Sequence, residues 1–254
     1  MLRRLIDSAL FHGSRWVAPR VSPRLARLAP GRRWVSICFD DFPRSAARLG
    51  AEVVEAQGAR ATYYVAMGLI GGEDSFTRDD LLRLSARGHE VGCHSYSHLD
   101  LLTARTRTIE TDLALNAAAW ASLAPGKPLR HFAYPYGRLR PSQKARLGQR
   151  FLSMRSIFPG LHRDRVDLNL LHGNKLYSEG GHVDRALRLI DQLAGGGGWL
   201  ILFTHDVSDH PTRFGVTPRD LERVLRASAS AGAELLPVGA AVASLGAQGG
   251  FSSV

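Results

Sequence analysis

From residue 34 onward, short apolar segments typical of buried strands alternate with longer segments of helical periodicity. The predicted strands are residues 34–39, 61–65, 90–93, 130–133, 151–155, 199–203 and 234–238. The predicted helices are residues 43–57, 77–87, 106–123, 141–150, 184–194 and 217–231. Strands that alternate with helices predict a parallel sheet, and this number of units is enough for the sheet to curl into an α/β barrel. Residues 156–180 fit neither pattern.

The first 33 residues differ from the rest of the chain in charge. They hold eight arginines against a single acid, Asp7, within a chain of net charge +10. We therefore divide the chain into a basic N-terminal arm, residues 1–33, and a barrel domain, residues 34–248. Apolar side chains in residues 2–10 recur at helical spacing, which predicts an amphipathic helix. Such a helix could contact an anionic membrane surface or pack on the outside of the barrel, and the sequence leaves both open.

Several other classes of protein do not fit the composition. No apolar run approaches the roughly 18 residues needed to span a bilayer. The arginines are neither spread over a groove-reading element nor interleaved with aromatic residues, so no nucleic-acid partner is expected. The N-terminal segment is interrupted by Asp7 and lacks a typical cleavage site for a signal peptide, which favours a cytoplasmic protein, although a mitochondrial presequence remains an alternative. Cys38 and Cys93 lie in apolar segments and are expected to be buried, reduced thiols.

Polar residues that can carry chemistry follow three of the predicted strands. Asp40 and Asp41 follow the first strand, His94 and His98 follow the third, and His205 follows the strand at residues 199–203. Catalytic groups collect at the carboxyl ends of parallel barrel strands. Two adjacent carboxylates at a buried strand end need a cation or a proton, and histidines at i and i+4 can bind one metal ion. Each group also has a plainer explanation: a helix-capping acidic pair, two loop histidines, and a hydrogen-bonded core histidine.

The order of these groups resembles the polysaccharide deacetylase (NodB homology) family of carbohydrate esterases. The resemblance rests on four motifs at strand ends: Cys-Phe-Asp-Asp at 38–41, His-Ser-Tyr-Ser-His at 94–98, Ala-Tyr-Pro-Tyr-Gly at 133–137 and Phe-Thr-His at 203–205. It extends from residue 34 to about residue 245. The resemblance implies a NodB-like, distorted or incomplete (β/α) barrel. It also implies a metal-dependent hydrolase that removes an acyl group from a sugar.

The resemblance further implies a role for each matching residue. Asp40 would be the general base and His205 the general acid. The backbone N–H of Tyr136 would help to form an oxyanion hole in a loop shaped by Pro135, and both residues would contact substrate. The metal ligands would be Asp41, His94 and His98. Two imidazoles and one carboxylate suit Zn²⁺, with Co²⁺, Ni²⁺ or Mn²⁺ as alternatives.

The sequence departs from the family pattern at several positions. Ala133 replaces the arginine that holds the general base in the family, and we expect Arg155 to supply that charge as part of the catalytic set. Phe203 replaces a leucine in the last motif and is a candidate substrate contact. No Asp-x-x-Asp-Trp motif is found, and Asp167 is the candidate for orienting His205.

The motifs leave the substrate open. The acylated sugar could belong to a polysaccharide, an oligosaccharide or a lipid-linked precursor. Two alternatives remain: a catalytically silent domain that binds carbohydrate or a partner protein, and a deformylase or amidase that acts on a different substrate.

Overall fold

The computed structural model describes residues 16–246 as a parallel sheet with helices packed around it. The ten strands are β1 (Leu25–Arg27), β2 (Arg33–Asp40), β3 (Thr62–Val65), β4 (Glu90–Cys93), β5 (His131–Ala133), β6 (Ser153–Arg155), β7 (Arg165–Asp167), β8 (Asn174–Lys175), β9 (Gly198–Thr204) and β10 (Glu234–Leu235). The α-helices are α1 (Ala51–Ala56), α2 (Arg78–Ala86), α3 (Thr106–Leu123), α4 (Pro141–Gly148), α5 (His182–Gly196), α6 (Pro218–Ser230) and α7 (Val238–Gly246).

The main sheet is an incomplete barrel. Its strands follow the order β6-β5-β4-β3-β2-β9-β8, with β10 paired to the start of β2, and every pairing is parallel. The sheet curls until its two edges approach one another. Leu171 donates a backbone hydrogen bond to Met154 and accepts one from Ser156, each 2.8 Å long, next to edge strand β6. The chain then enters β8 at the opposite edge, so residues 168–173 bridge the opening of the barrel.

The burial of the central strands explains why the predicted alternation of strands and helices identified a parallel sheet. Strand β9 is buried along its whole length, and β2 is buried at every position after Arg33. Such continuous apolar strands are typical of parallel sheets that are covered by helices. Helix α2 begins with a capping box, in which the Thr77 hydroxyl accepts a hydrogen bond from the Asp80 N–H and the Asp80 carboxylate accepts one from the Thr77 N–H.

Three parts of the sequence-based prediction differ from the structure. The helix expected at residues 43–57 is α-helical only over Ala51–Ala56, and a π-helix at Ala46–Gly50 precedes it. The strand expected at residues 234–238 ends at Leu235, and α7 begins at Val238. Pro237 lacks an N–H group and therefore cannot continue the ladder of hydrogen bonds beside β2. The segment 156–180, for which no element was predicted, contains β7 and β8.

Part of the predicted N-terminal arm packs on the barrel. Strand β1 pairs antiparallel with β7, and the Arg24 guanidinium donates to the carbonyl oxygens of Gly148 and Phe151, each at 2.9 Å. The amphipathic segment 2–10 lies outside the described residues, so the division of the chain at residue 33 stays a prediction. Within residues 16–246, no helix is long and apolar enough to cross a membrane. Cys38 and Cys93 are buried free thiols, as predicted.

Candidate active site

The adjacent carboxylates at the end of β2 point to different partners. Asp40 is the last residue of the strand, and Asp41 adopts a left-handed backbone conformation with φ of 42°. The Asp40 carboxylate contacts Arg155, whereas the Asp41 carboxylate contacts His94 and His98. The turn at Asp41 therefore separates two acidic groups that would otherwise repel each other.

Asp41, His94 and His98 form one compact cluster. Asp41 Oδ2 lies 2.7 Å from His98 Nε2 and 3.7 Å from His94 Nε2. One potential ligand atom from each residue lies within 4.8 Å of the others. The second oxygen, Asp41 Oδ1, is buried without a hydrogen-bond partner among the described residues. A buried carboxylate oxygen without a partner is costly, and a divalent cation bound by these three residues would satisfy it, so the residues fit a metal site.

The surrounding structure holds the histidine loop in place. His94 Nδ1 donates a 2.8 Å hydrogen bond to the Ala133 carbonyl, which leaves the Nε2 lone pair for a ligand. The Asp112 carboxylate, in the middle of α3, accepts bonds from the backbone N–H groups of Tyr96 at 2.6 Å and Ser97 at 3.2 Å. Such outer contacts orient metal ligands. Asp112 belongs to no motif, and its helical position gave no signal in the sequence.

The cluster favours the protonation states that a metal site needs. Burial alone would raise the pKa of Asp41, but the neighbouring His94 and His98 imidazoles outweigh it, and the pKa lies below its ordinary value. Burial lowers the pKa of His94, and the carboxylates of Asp41 and Asp40 oppose this effect only in part. At neutral pH the cluster therefore offers a carboxylate and a neutral imidazole, as metal binding requires.

Arg155 makes the contact with Asp40 that was expected from the sequence. Its Nη2 lies 2.6 and 2.5 Å from the two oxygens of Asp40. The guanidinium is 1% exposed and packs against the rings of Phe203 and Tyr64, at 4.7 and 5.1 Å. Burial by itself lowers the pKa of Arg155, but the Asp40 carboxylate outweighs it and raises that pKa, so the guanidinium stays charged.

The position of Arg155 explains the alanine in the third motif. Ala133 on β5 and Arg155 on β6 are direct partners in the parallel register. Register partners project their side chains to the same face of a sheet. Arg155 on β6 therefore faces the same side of the sheet, at the same level, as an arginine at position 133 on β5 would.

The third motif forms a tight turn at the rim of the cluster. Residues Pro135–Gly137 make a single 3-10 turn, in which Tyr136 has φ of 58°. The Tyr136 ring is 56% exposed, and its centroid lies 4.2 Å from that of His98. The Tyr136 N–H makes no hydrogen bond to another residue within 16–246. This N–H is therefore free to donate to a ligand beside the cluster.

His205 follows β9 on the opposite side of the cleft. Its Nδ1 donates to the carbonyl oxygen of Phe214 at 3.3 Å, which leaves Nε2 for a ligand. The expectation that Asp167 orients this histidine is wrong. Asp167 pairs instead with the buried ammonium of Lys144 at 2.5 Å, because β7 turns away from the cleft to pair with β1.

The loop that carries Phe214 is fixed by the residue that follows His205. Asp206 accepts hydrogen bonds from the backbone N–H of Thr212 at 2.8 Å and from its hydroxyl at 2.5 Å. Gly215 approaches so closely that an added Cβ would lie 2.3 Å from Asp206 Oδ1. A glycine is therefore required where the loop returns past this carboxylate.

These groups open onto one cleft of about 390 Å³. Its lining comprises Asp40, Asp41, His94, His98, Tyr134, Tyr136, Gly137, Ile157, Lys175, Tyr177, Phe203, His205 and Phe214. The structure thus brings the predicted site residues together, and Pro135 is buried in the turn that carries Tyr136. Phe203 is only 2% exposed and mainly supports Arg155. Lys175, Tyr177 and Phe214 were not predicted, because their segments carry no recognisable motif.

Sequence comparison identifies one family and a distant relative. Residues 27–155, about half of the chain, match the sequence profile of the family described as polysaccharide deacetylase. A probable peptidoglycan-N-acetylglucosamine deacetylase of Arthroderma benhamiae is 27% identical over 107 residues, or 42% of this chain and 24% of that protein. The match therefore spans about a quarter of the relative's length.

Structure comparison finds the same fold in solved proteins. A family 4 carbohydrate esterase from Bacillus anthracis superposes with a TM-score of 0.60 at 15% identity, over 86% of each chain. A mutant with restored activity of a family 4 pseudoenzyme gives a TM-score of 0.55 at 15% identity, over 85% of this chain and 70% of the other. At such low identity these similarities establish the curled parallel sheet and its helices.

Proposed function

This chain belongs to the polysaccharide deacetylase family, and we propose that it is a metal-dependent hydrolase that removes an acyl group, in the simplest case N-acetyl, from a sugar. The sugar would be part of a glycan, an oligosaccharide or a lipid-linked precursor. One observation carries the proposal: Asp40, the cluster of Asp41, His94 and His98, and His205 all line a single cleft, and the buried Arg155 holds Asp40 from behind. A base, a metal site and an acid are the groups that acyl transfer to water needs.

The metal would be held by Asp41, His94 and His98. We propose Zn²⁺, with Co²⁺, Ni²⁺ or Mn²⁺ as substitutes, because one carboxylate and two imidazoles suit these ions and leave positions open for other ligands. When bound, the cation would supply Lewis-acid polarisation of the acyl carbonyl and of water. The partnerless Asp41 Oδ1 supports this assignment from within the chain.

The proton transfers would be carried out by the chain's own groups. Asp40 would accept a proton from the attacking water, held in position by the charged Arg155. His205 would donate a proton from Nε2 to the departing amine, while its Nδ1–H stays bonded to the Phe214 carbonyl. The free N–H of Tyr136 would donate to the carbonyl oxygen as negative charge develops on it.

Acetate release from N-acetylated chitooligosaccharides by the zinc-loaded protein tests the proposal. The matched control is Asp40→Asn, which keeps the shape of the side chain but removes the base. Metal-dependent release by the native chain, with loss in the control, would support the assignment. A native chain that binds zinc yet releases acyl groups from no N- or O-acetylated glycan would contradict it.

The same assay addresses the two alternatives. The first alternative is a domain that binds carbohydrate without catalysis. Inactive proteins with this fold exist, since one structurally similar protein is described as a pseudoenzyme. That alternative predicts glycan binding without turnover, and it is disfavoured because base, metal-site residues and acid are all present in the cleft. A deformylase or other amidase would release formate, or acyl groups from compounds that contain no sugar, under the same conditions.

A cytoplasmic location, with peripheral contact between the N-terminal arm and an anionic membrane, remains part of the proposal. A variant that begins at Trp16 is the proper comparison, because a deletion up to Arg33 would also remove β1 and the contacts of Arg24. The full chain should co-sediment with anionic vesicles at low salt, and the shortened variant should not. Equal sedimentation of the two proteins would rule out a role for residues 1–15.

A further inference from the structure

A second cavity adjoins the catalytic cleft. It has a volume of about 280 Å³ and lies between the start of β8 and the first turn of α5. Ile157 and Lys175 line both this cavity and the cleft. The second cavity is therefore a direct neighbour of the cleft that holds the proposed catalytic groups.

The second cavity is lined by basic side chains, of which Lys175 and Arg185 carry the positive charge. Lys175, His182 and Arg185 contribute to its wall, and no carboxylate does so among the described residues. Within residues 16–246, neither Lys175 nor Arg185 forms an ion pair with an acid. Burial lowers the pKa of His182, and the nearby charges of Lys175 and Arg185 lower it further. The charges of Lys175 and Arg185 therefore meet at this cavity with no acidic partner in the described part of the chain.

Tyr177 lines the cleft and contacts a residue of the second cavity. Its ring lies against the imidazole of His182, with centroids 5.3 Å apart, and against that of His205, with centroids 6.0 Å apart. The Lys175 ammonium lies 5.8 Å from the centroid of the same ring. One aromatic side chain therefore separates the group proposed to protonate the leaving amine from the cationic wall.

We propose that the second cavity is an anion subsite, and that the preferred substrate is an acylated sugar that carries a phosphate ester or a carboxylate on the reacting unit or the next one. This inference rests on the proposed hydrolase function. Unpaired cations that line a cavity form strong charge-assisted bonds with oxyanions. A neutral acetylated glycan would leave the positive charges of Lys175 and Arg185 without a partner. The cavity therefore selects among acylated sugars by charge.

Matched substrates separate this proposal from the proposed function. N-Acetylglucosamine 1-phosphate, N-acetylmuramic acid and the neutral methyl glycoside of N-acetylglucosamine differ in the anionic group but share the acetamide. For the zinc-loaded native chain, kcat/KM should be about tenfold higher for the phosphate or carboxylate sugar, the usual size of one charge-assisted contact at a solvent-accessible site. Equal values for charged and neutral sugars would overturn the anion subsite and leave the hydrolase proposal intact.

The variant Arg185→Gln tests the site itself, since Arg185 lines only the second cavity. It should remove most of the preference for the anionic sugar through a higher KM, whereas Arg188→Gln, an exposed change on the same helix, should not. Calorimetric titration with N-acetylglucosamine 1-phosphate measures binding affinity and does not depend on hydrolysis. If the native chain hydrolyses none of the sugars, binding that is weakened by Arg185→Gln alone would still support the subsite. Equal binding by the native chain and both variants would contradict it.

Discussion

Arg155 Nη2 lies 2.6 and 2.5 Å from the two carboxylate oxygens of Asp40, although the strands that carry the two residues are four places apart in the sheet. The curl of the sheet brings β6 across to the end of β2. Both side chains are buried, at 1% and 4% exposure, so the pair is shielded from solvent. Removing one partner from such a pair leaves an uncompensated buried charge.

The first prediction concerns the placement of this arginine. Arg155→Ala should lower kcat by roughly 10²-fold or more, since the base loses the group that positions it. It should also reduce the free energy of unfolding by about 3 kcal/mol, through the unpaired Asp40 carboxylate. Adding Ala133→Arg should restore part of the activity, because Ala133 is the register partner of Arg155 and faces the same layer. Steady-state kinetics and urea unfolding measure both effects.

Ala133→Arg in the native background is the control for this experiment, and it should be harmful because it adds a second guanidinium beside Asp40. A double variant that folds but is no more active than Arg155→Ala would show that the two positions are not interchangeable.

The second prediction separates proton transfer from metal binding. Asp40→Asn and His205→Gln should each lower kcat by roughly 10²- to 10⁴-fold, the usual worth of a positioned acid or base. Zinc content, measured after dialysis, should stay near one ion per chain in both variants, because neither residue belongs to the Asp41, His94 and His98 cluster. Native turnover in either variant would disprove the role of that residue.

The third prediction concerns the metal site and its support. His94→Ala should lose most of its bound zinc while circular dichroism shows an intact fold. Asp112→Asn should weaken zinc binding by roughly 10- to 100-fold, because the carboxylate that holds the backbone of Tyr96 and Ser97 is an outer contact of the site. Competition with a coloured chelator gives both affinities. Native zinc affinity in Asp112→Asn would mean that the loop needs no such support.

The fourth prediction concerns the pH dependence of stability. Burial lowers the pKa of His162 to about 3 in the folded protein, against about 6.5 in an unfolded chain. The unfolded state therefore binds the proton first as the pH falls. The stability contributed by neutral His162 is present above pH 6.5 and is lost progressively towards pH 3. Between pH 6.5 and 4.5 the loss should be on the order of 2 kcal/mol.

Urea unfolding of the metal-free protein at several pH values measures this loss. His162→Gln should be less stable at pH 7 but should show a shallower decline on acidification. The exposed His210→Gln should reproduce the native pH dependence. If the free energy of unfolding of His162→Gln falls with pH as steeply as that of the native protein, other groups cause the acid sensitivity.

The strands were predicted well from the sequence where the hydrophobic pattern of a single strand is enough to identify it. The continuous apolar segments that became β2 and β9 are recognisable because parallel strands are buried on both faces. The catalytic candidates were found because they stand directly after such strands. Asp40 and His205 show that a motif at a strand end can be located before its partners are known.

The strand pairings and side-chain contacts that were not predicted depend on segments far apart in the sequence. The pairing of β1 with β7 joins residues more than 130 positions apart, and neither three-residue strand has a pattern of its own. Asp167 was assigned to the wrong partner because its choice between Lys144 and His205 follows from that pairing. Asp112 lies on a helix and Tyr177 in a loop, and neither position has a sequence pattern that points to the cleft.

The segment that bridges the open edge of the barrel has a consequence for how substitutions could alter the proposed activity. The proposed reacting groups stand on β2, β4 and β9 or directly after them, where any shift would disturb the rigid sheet. Residues 171–177 include no proposed reacting group, yet Lys175 lines both cavities, Gly173 and Asn174 line the second, and Tyr177 lines the cleft. Substitutions in this segment could change substrate specificity without altering the proposed catalytic residues. Under the proposed roles, the residues that choose the substrate and those that react with it therefore lie on separate stretches of chain.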